Sequence, residues 1–88
     1  GVNDFGASQP NDLEIKEEME AWLLHKGLHA TQLTYQDKQA LVEHLHLKGF
    51  FKRKGAISIV ANGLQLTRQS IYNYIELAKK AQNKMQKE

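Results

Sequence analysis

The sequence predicts an all-α fold, a small four-helix domain that contains a helix-turn-helix. Three observations lead there. Apolar residues recur at helical spacing in successive stretches of the chain. Three of the four stretches follow a residue suited to capping a helix: Asn11, Thr34 and Thr67. The last stretch, TRQSIYNYIELAKKAQ, leaves too few residues before it for a stable sheet. At 88 residues the chain holds one small domain, which buries roughly 60–65% of its unfolded surface.

Residues 1–11 (GVNDFGASQPN) carry Gly, Ser, Asn and the only Pro, and are expected to be a linker or loose terminus. A helix follows. Asn11 is its expected cap, and Glu14 three residues on completes a capping box. Ile15, Met19, Trp22 and Leu23 form its apolar stripe, and Gly27 is a natural stop. The second helix is expected after Thr34, a cap answered by Asp37, with Leu41, Val42 and Leu45 turned inward. Gly49 suits the left-handed residue that ends many helices. Phe50 and Phe51 then close the core, and Lys52, Arg53 and Lys54 stay in water or meet phosphate. The domain proper is placed at 12–82, with residues 83–88 a frayed tail; Ala78, Ala81 and Met85 continue a weak apolar seam along the C-terminal stretch.

The stretch Ala56–Ile75, AISIVANGLQLTRQSIYNYI, reads two ways. Asn62-Gly63 between alternating apolar residues (Ile57, Ile59, then Leu64, Leu66) is the strongest short-range signal of a β-hairpin. Against it, Ile71, Tyr74, Ile75 and Ala78 share one helical face beginning after Thr67. Only Leu64, Gln65 and Leu66 would remain for the return strand, and an isolated two-stranded ribbon is marginal in water. The helical reading uses every residue. Ile57, Val60, Ala61 and Leu64 line one face, small Ala61 admits a close crossing, and Leu66 plugs the turn. The β-branched Ile57, Ile59 and Val60 weigh slightly against it.

Charge is uneven. The net charge is +2. Residues 1–33 contain six acidic and two basic side chains; residues 34–66 and 67–88 each contain five basic and two acidic ones. An acidic front and basic back fit a surface facing a polyanion, and equally fit solvated helix faces that differ in sign. There is no cysteine, hence no disulfide framework or thiolate metal site. No apolar run reaches membrane-spanning length and no secretory leader pattern opens the chain. The start at Gly-Val-Asn, without an initiator Met, is expected of a piece of a longer protein. His25 and His29 stand four apart but straddle Gly27, and His44 and His46 diverge on a helix, so no metal site is expected. Nor is there a catalytic constellation, and no cofactor or enzymatic activity is expected.

The helix after Thr67 carries groups suited to base edges. Arg68 matches guanine O6 and N7; Gln69 and Asn73 match adenine N6 and N7. Tyr72 suits a thymine methyl or a phosphate. Thr67 and Ser70 suit phosphate oxygens, as do Lys52, Arg53, Lys54, Lys79 and Lys80 without regard to sequence. Each also has a plain structural reading: Thr67 is first a cap, and Arg68 and Gln69 would sit on any solvated helix. Tyr74 belongs with the core. A helical protein-interaction or oligomerisation module is the rival reading; a general nucleoid or RNA binder is the weaker one.

From Leu33 to Ile75 the chain resembles the C-terminal helix-turn-helix domain of the YheO-like, or DauR-like, bacterial transcriptional regulators. The resemblance rests on LTYQDKQALVEHL, then KGFFKRKGA, then IVANGLQLTRQSIYNYI, about half of the chain. It implies a cytoplasmic, nucleoid-associated domain that binds double-stranded DNA through a recognition helix at about 67–82. It favours base contact for Arg68, Gln69 and Asn73. It further implies a small-molecule effector sensed only by an N-terminal PAS-like domain absent here. The one departure is Gln65, where the family usually has glycine for a left-handed turn. Readers of this kind commonly act as dimers, and the first helix, with Met19, Trp22 and Leu24, is the expected dimer contact.

Overall fold

The computed structural model describes residues 10–86. Four helices follow in order: α1 (Pro10–Lys26), α2 (Tyr35–Leu47), α3 (Ala56–Leu64) and α4 (Arg68–Gln86), with single 3-10 turns at Ala30–Gln32 and Phe50–Lys52. Among the described residues there is no strand. The all-α, four-helix expectation holds, and Asn62-Gly63 lies inside α3 rather than at a hairpin turn.

Helix α1 begins at Pro10, ahead of the expected cap. Proline fits a first helical turn, where its missing N–H has no partner to lose. Most of the expected linker and the Asn11 side chain lie outside the described residues. The helix ends as the sequence predicts. Gly27 turns left-handed at φ +70°. Its N–H donates to the Leu24 carbonyl at 3.1 Å, and the Leu28 N–H donates to Leu23 at 2.9 Å. These two bonds satisfy carbonyls that the helix end would otherwise strand.

At α2 the capping box is complete. The Asp37 N–H donates to Thr34 Oγ1 at 3.0 Å, and the Thr34 N–H donates to Asp37 Oδ2 at 2.9 Å. Gly49 at φ +82° turns the chain out of α2, which lays Phe50 into the core and Phe51 against it. Gly55 at φ +77° then turns it into α3.

The core lies where the four apolar faces meet. Ile15, Leu41, Leu45, Ile71, Val42 and Val60 are fully buried, with Met19, Ala61, Leu64, Tyr74 and Ile75 around them. Burying a side chain of this size stabilises the fold by roughly 1.5–3 kcal/mol. Helix α4 is packed on α2 and α3, while α1 lies across α3 and α2. Where α1 crosses α3, a Cβ added at Gly63 would come within 3.0 Å of Met19 Cε. The glycine that imitates a hairpin turn therefore lies under the end of the Met19 side chain.

Candidate nucleic-acid interface

The turn between α3 and α4 sets the geometry. Gln65 adopts the left-handed conformation, φ +57°, that glycine takes most easily. The Leu66 N–H donates to the Ala61 carbonyl at 2.8 Å, and the Gln65 N–H donates to Asn62 at 3.3 Å. This is the same two-bond ending seen at Gly27, here made by a residue with a Cβ. Leu66 packs on the core, as expected of a turn plug.

Thr67 then caps α4. Its Oγ1 accepts the Ser70 N–H at 3.0 Å and its hydroxyl donates to Ser70 Oγ at 3.1 Å. The Thr67 hydroxyl hydrogen is thus spent within the cap, whereas Ser70 keeps its own hydrogen to donate. Beyond the cap, Ile71, Tyr74, Ile75 and Ala78 turn inward, and Arg68, Gln69, Tyr72 and Asn73 turn to solvent. At about 100° per residue those four occupy one outward arc on the first two turns of α4. Gln69 Nε2 donates to Asn73 Oδ1 at 3.1 Å. The pair orders both amides, and each keeps at least one N–H and one acceptor lone pair outward.

The two tyrosines of Tyr-x-Tyr divide. Tyr72 is 53% exposed. Tyr74 is buried, its ring edge-on to Tyr35 at 5.4 Å between centroids. Burial, reinforced by Tyr35, pushes the Tyr74 hydroxyl pKa above its ordinary 10.0.

The cations expected to meet phosphate lie in two groups. Lys52 and Lys54 stand exposed on the segment before α3. Arg53, between them, is engaged within the chain at the surface: its guanidinium pairs with Glu14 of α1 and lies over the Phe50 ring, 4.5 Å from the centroid. On α4, Lys79 sits 3.5 Å from Glu76, and Lys80 is exposed. Lys79 is eleven residues past Arg68, about 16 Å along the helix.

Two polar clusters escaped the sequence. Glu18 Oε2 of α1 accepts from Lys48 Nζ at 3.0 Å and lies 2.7 Å from His44 Nε2, both at the end of α2. These hydrogen bonds, that from His44 first, hold the Glu18 carboxyl below its ordinary 4.5. Glu14 with Arg53 is the other cluster. Partners 26 to 39 residues apart leave no mark in local spacing. Both clusters join α1 to other elements, Glu18 to the end of α2 and Glu14 to the segment before α3. Among the described residues, no three His, Cys, Asp or Glu stand close enough to hold a metal ion. No described helix is long and apolar enough to cross a membrane.

A curated relative, the transcriptional regulator DauR of Pseudomonas aeruginosa, is 36% identical over 58 residues. That alignment covers 66% of this chain and 28% of the relative, so the chain spans little more than a quarter of that protein's length. No solved structure matches. A protein family described as an HTH domain matches residues 14–76, from the Glu14 that clamps α1 to the Glu76 beside Lys79. Like the corresponding part of DauR-like regulators, the chain belongs to this helix-turn-helix domain family.

Proposed function

We propose that this domain binds double-stranded DNA sequence-specifically, as the reading part of a bacterial transcriptional regulator, with α4 in the major groove. The observation that carries the reading is the outward arc of Arg68, Gln69, Tyr72 and Asn73 at the start of α4. A recognition helix presents base-reading side chains from this part of its length. Arg68 supplies two parallel donors for guanine; the ordered amides of Gln69 and Asn73 each keep a donor and an acceptor for adenine. Tyr72 offers ring and hydroxyl to a thymine methyl or a phosphate. Thr67, Ser70, Lys52, Lys54 and Lys79 hold the backbone, and the domain acts by binding, not catalysis.

Two such domains would read two half-sites about 34 Å apart. Helix α1 offers the contact, with Leu13 52% and Leu24 82% exposed, whereas Met19 is spent in the core. Sedimentation on a two-site duplex tests this; a strict monomer on DNA contradicts it. Effector sensing, if the whole protein follows the family, lies outside this domain.

The test of the main reading is fluorescence anisotropy on labelled duplex at several salt concentrations. Affinity is expected to fall steeply as salt rises. Arg68→Ala is expected to lose about 1–3 kcal/mol of discrimination at one base pair, and Lys52→Ala or Lys54→Ala to weaken all sequences alike. A protein-interaction module would be indifferent to DNA and to these changes.

A further inference from the structure

Arg53 sits in the middle of the most basic run of the chain, Lys52-Arg53-Lys54, yet unlike its neighbours it is held by a carboxylate from another helix. Its place is fixed on three sides. Its N–H donates to the Phe50 carbonyl at 3.1 Å, its own carbonyl accepts the Ala56 N–H that opens α3, and its guanidinium rests on the Phe50 ring. The ion pairs among the described residues include none for Lys52 or Lys54. Glu14 is 60% exposed and Arg53 36% exposed, so the pair stands at the surface, where such pairs contribute little and exchange readily. A phosphate offers the same fork-shaped acceptor geometry as a carboxylate.

We propose that Glu14 is a guard on Arg53: its carboxylate keeps one preplaced guanidinium off the DNA backbone, and loss of that ion pair, with α1 still packed on the core, releases it. This rests on the DNA-binding reading and adds regulation to it. Helix α1 then sets DNA affinity without touching DNA. The first helix is a control element, and the Arg53 ranked above with the backbone contacts is a latent one.

The test compares wild type, Glu14→Gln, Arg53→Ala and the double variant by anisotropy on one duplex across a salt series, with thermal melts as a check on folding. Glu14→Gln is expected to raise affinity by up to about five-fold. It should also steepen the slope of log affinity against log salt by about 0.9, the signature of one more phosphate contact. Both gains must vanish in the double variant, and Arg53→Ala alone must leave the slope unchanged. A gain that persists without Arg53 would mean that removing any negative charge suffices, and overturns the guard. An unchanged slope in Glu14→Gln overturns it as well. Wild type that fails to bind DNA at any salt removes the underlying reading instead, and is told apart by the first measurement alone.

Discussion

At the scale of the residue, the turn before α4 is held by a side chain with a Cβ in a conformation that favours glycine. Gln65 at φ +57° carries the cost of a Cβ crowded against the following carbonyl, which glycine avoids. Glycine also frees the unfolded chain, which offsets part of that gain. Gln65→Gly is therefore expected to stabilise the domain by about 0.5–1 kcal/mol, seen as a higher urea midpoint with an unchanged slope. A lower midpoint would mean that the side chain makes a compensating contact. The opposite change belongs at Gly49, where φ is +82°: Gly49→Ala has open space around it but the wrong backbone, and is expected to cost about 1 kcal/mol. Gly63 is a third case. Its φ is ordinary, and Met19 lies over it. Gly63→Ala adds a Cβ that meets only the flexible end of Met19, so its better helix propensity is expected to offset the contact and leave stability within about 1 kcal/mol in the same urea assay.

At the scale of the element, each helix shows what a single sequence can and cannot reveal. The caps of α2 and α4 were legible because a cap is a local device: Thr34 with Asp37, and Thr67 with the Ser70 amide, lie within one turn. The inward faces were legible for the same reason, since Leu41, Val42 and Leu45, or Ile71, Tyr74 and Ile75, follow the helical repeat. Asn62-Gly63 was ambiguous because the pair is a strong local hairpin signal, and what decided against it lay downstream, in the helix that Thr67 caps and the few residues left for a return strand. The buried stripe of α1 was legible in Ile15, Met19 and Leu23, but its polar ties were not, because Glu14 and Glu18 meet partners from distant elements and an exposed glutamate looks the same whether paired or solvated. Of the candidate site, the outward arc of α4 was legible; the engagement of Arg53 was not.

The Glu18 cluster gives the element scale its pH dependence. The folded carboxyl titrates below its ordinary 4.5, so the folded state holds fewer protons than the unfolded chain in that range. Its contribution is complete above pH 4.5 and is lost as pH falls through the folded value. Trp22, the only tryptophan, lies 6.3 Å from the His44 ring and reports on this junction. In acid titrations of stability followed by Trp22 emission, Glu18→Gln is expected to flatten the loss below pH 4.5. An acid limb identical to that of wild type would show that Glu18 carries no such linkage.

At the scale of the whole molecule, charge and architecture agree. The acidic helix α1 lies across α3 and α2, and α4 is gripped by α2 and α3. Of the basic residues, Lys52, Arg53 and Lys54 stand before α3 and Arg68, Lys79, Lys80 and Lys84 along α4. The core supports this division, because Ile71, Tyr74, Ile75 and Ala78 on the inner face of α4 are buried, while Arg68, Gln69, Tyr72 and Asn73 are exposed. Shortening that support should cost far more than any surface change: Ile71→Ala, at a position with no exposure, is expected to lose about 2–5 kcal/mol. The central claim is that the arc at the start of α4 reads DNA bases. Selection of bound duplexes from a random pool tests it most directly, run in parallel on wild type and Arg68→Ala. Wild type is expected to enrich one common sequence, and Arg68→Ala to lose the preference at a single guanine-bearing position while still retaining DNA at low salt. A pool that stays random with wild type, or an Arg68→Ala profile identical to it, would contradict the account.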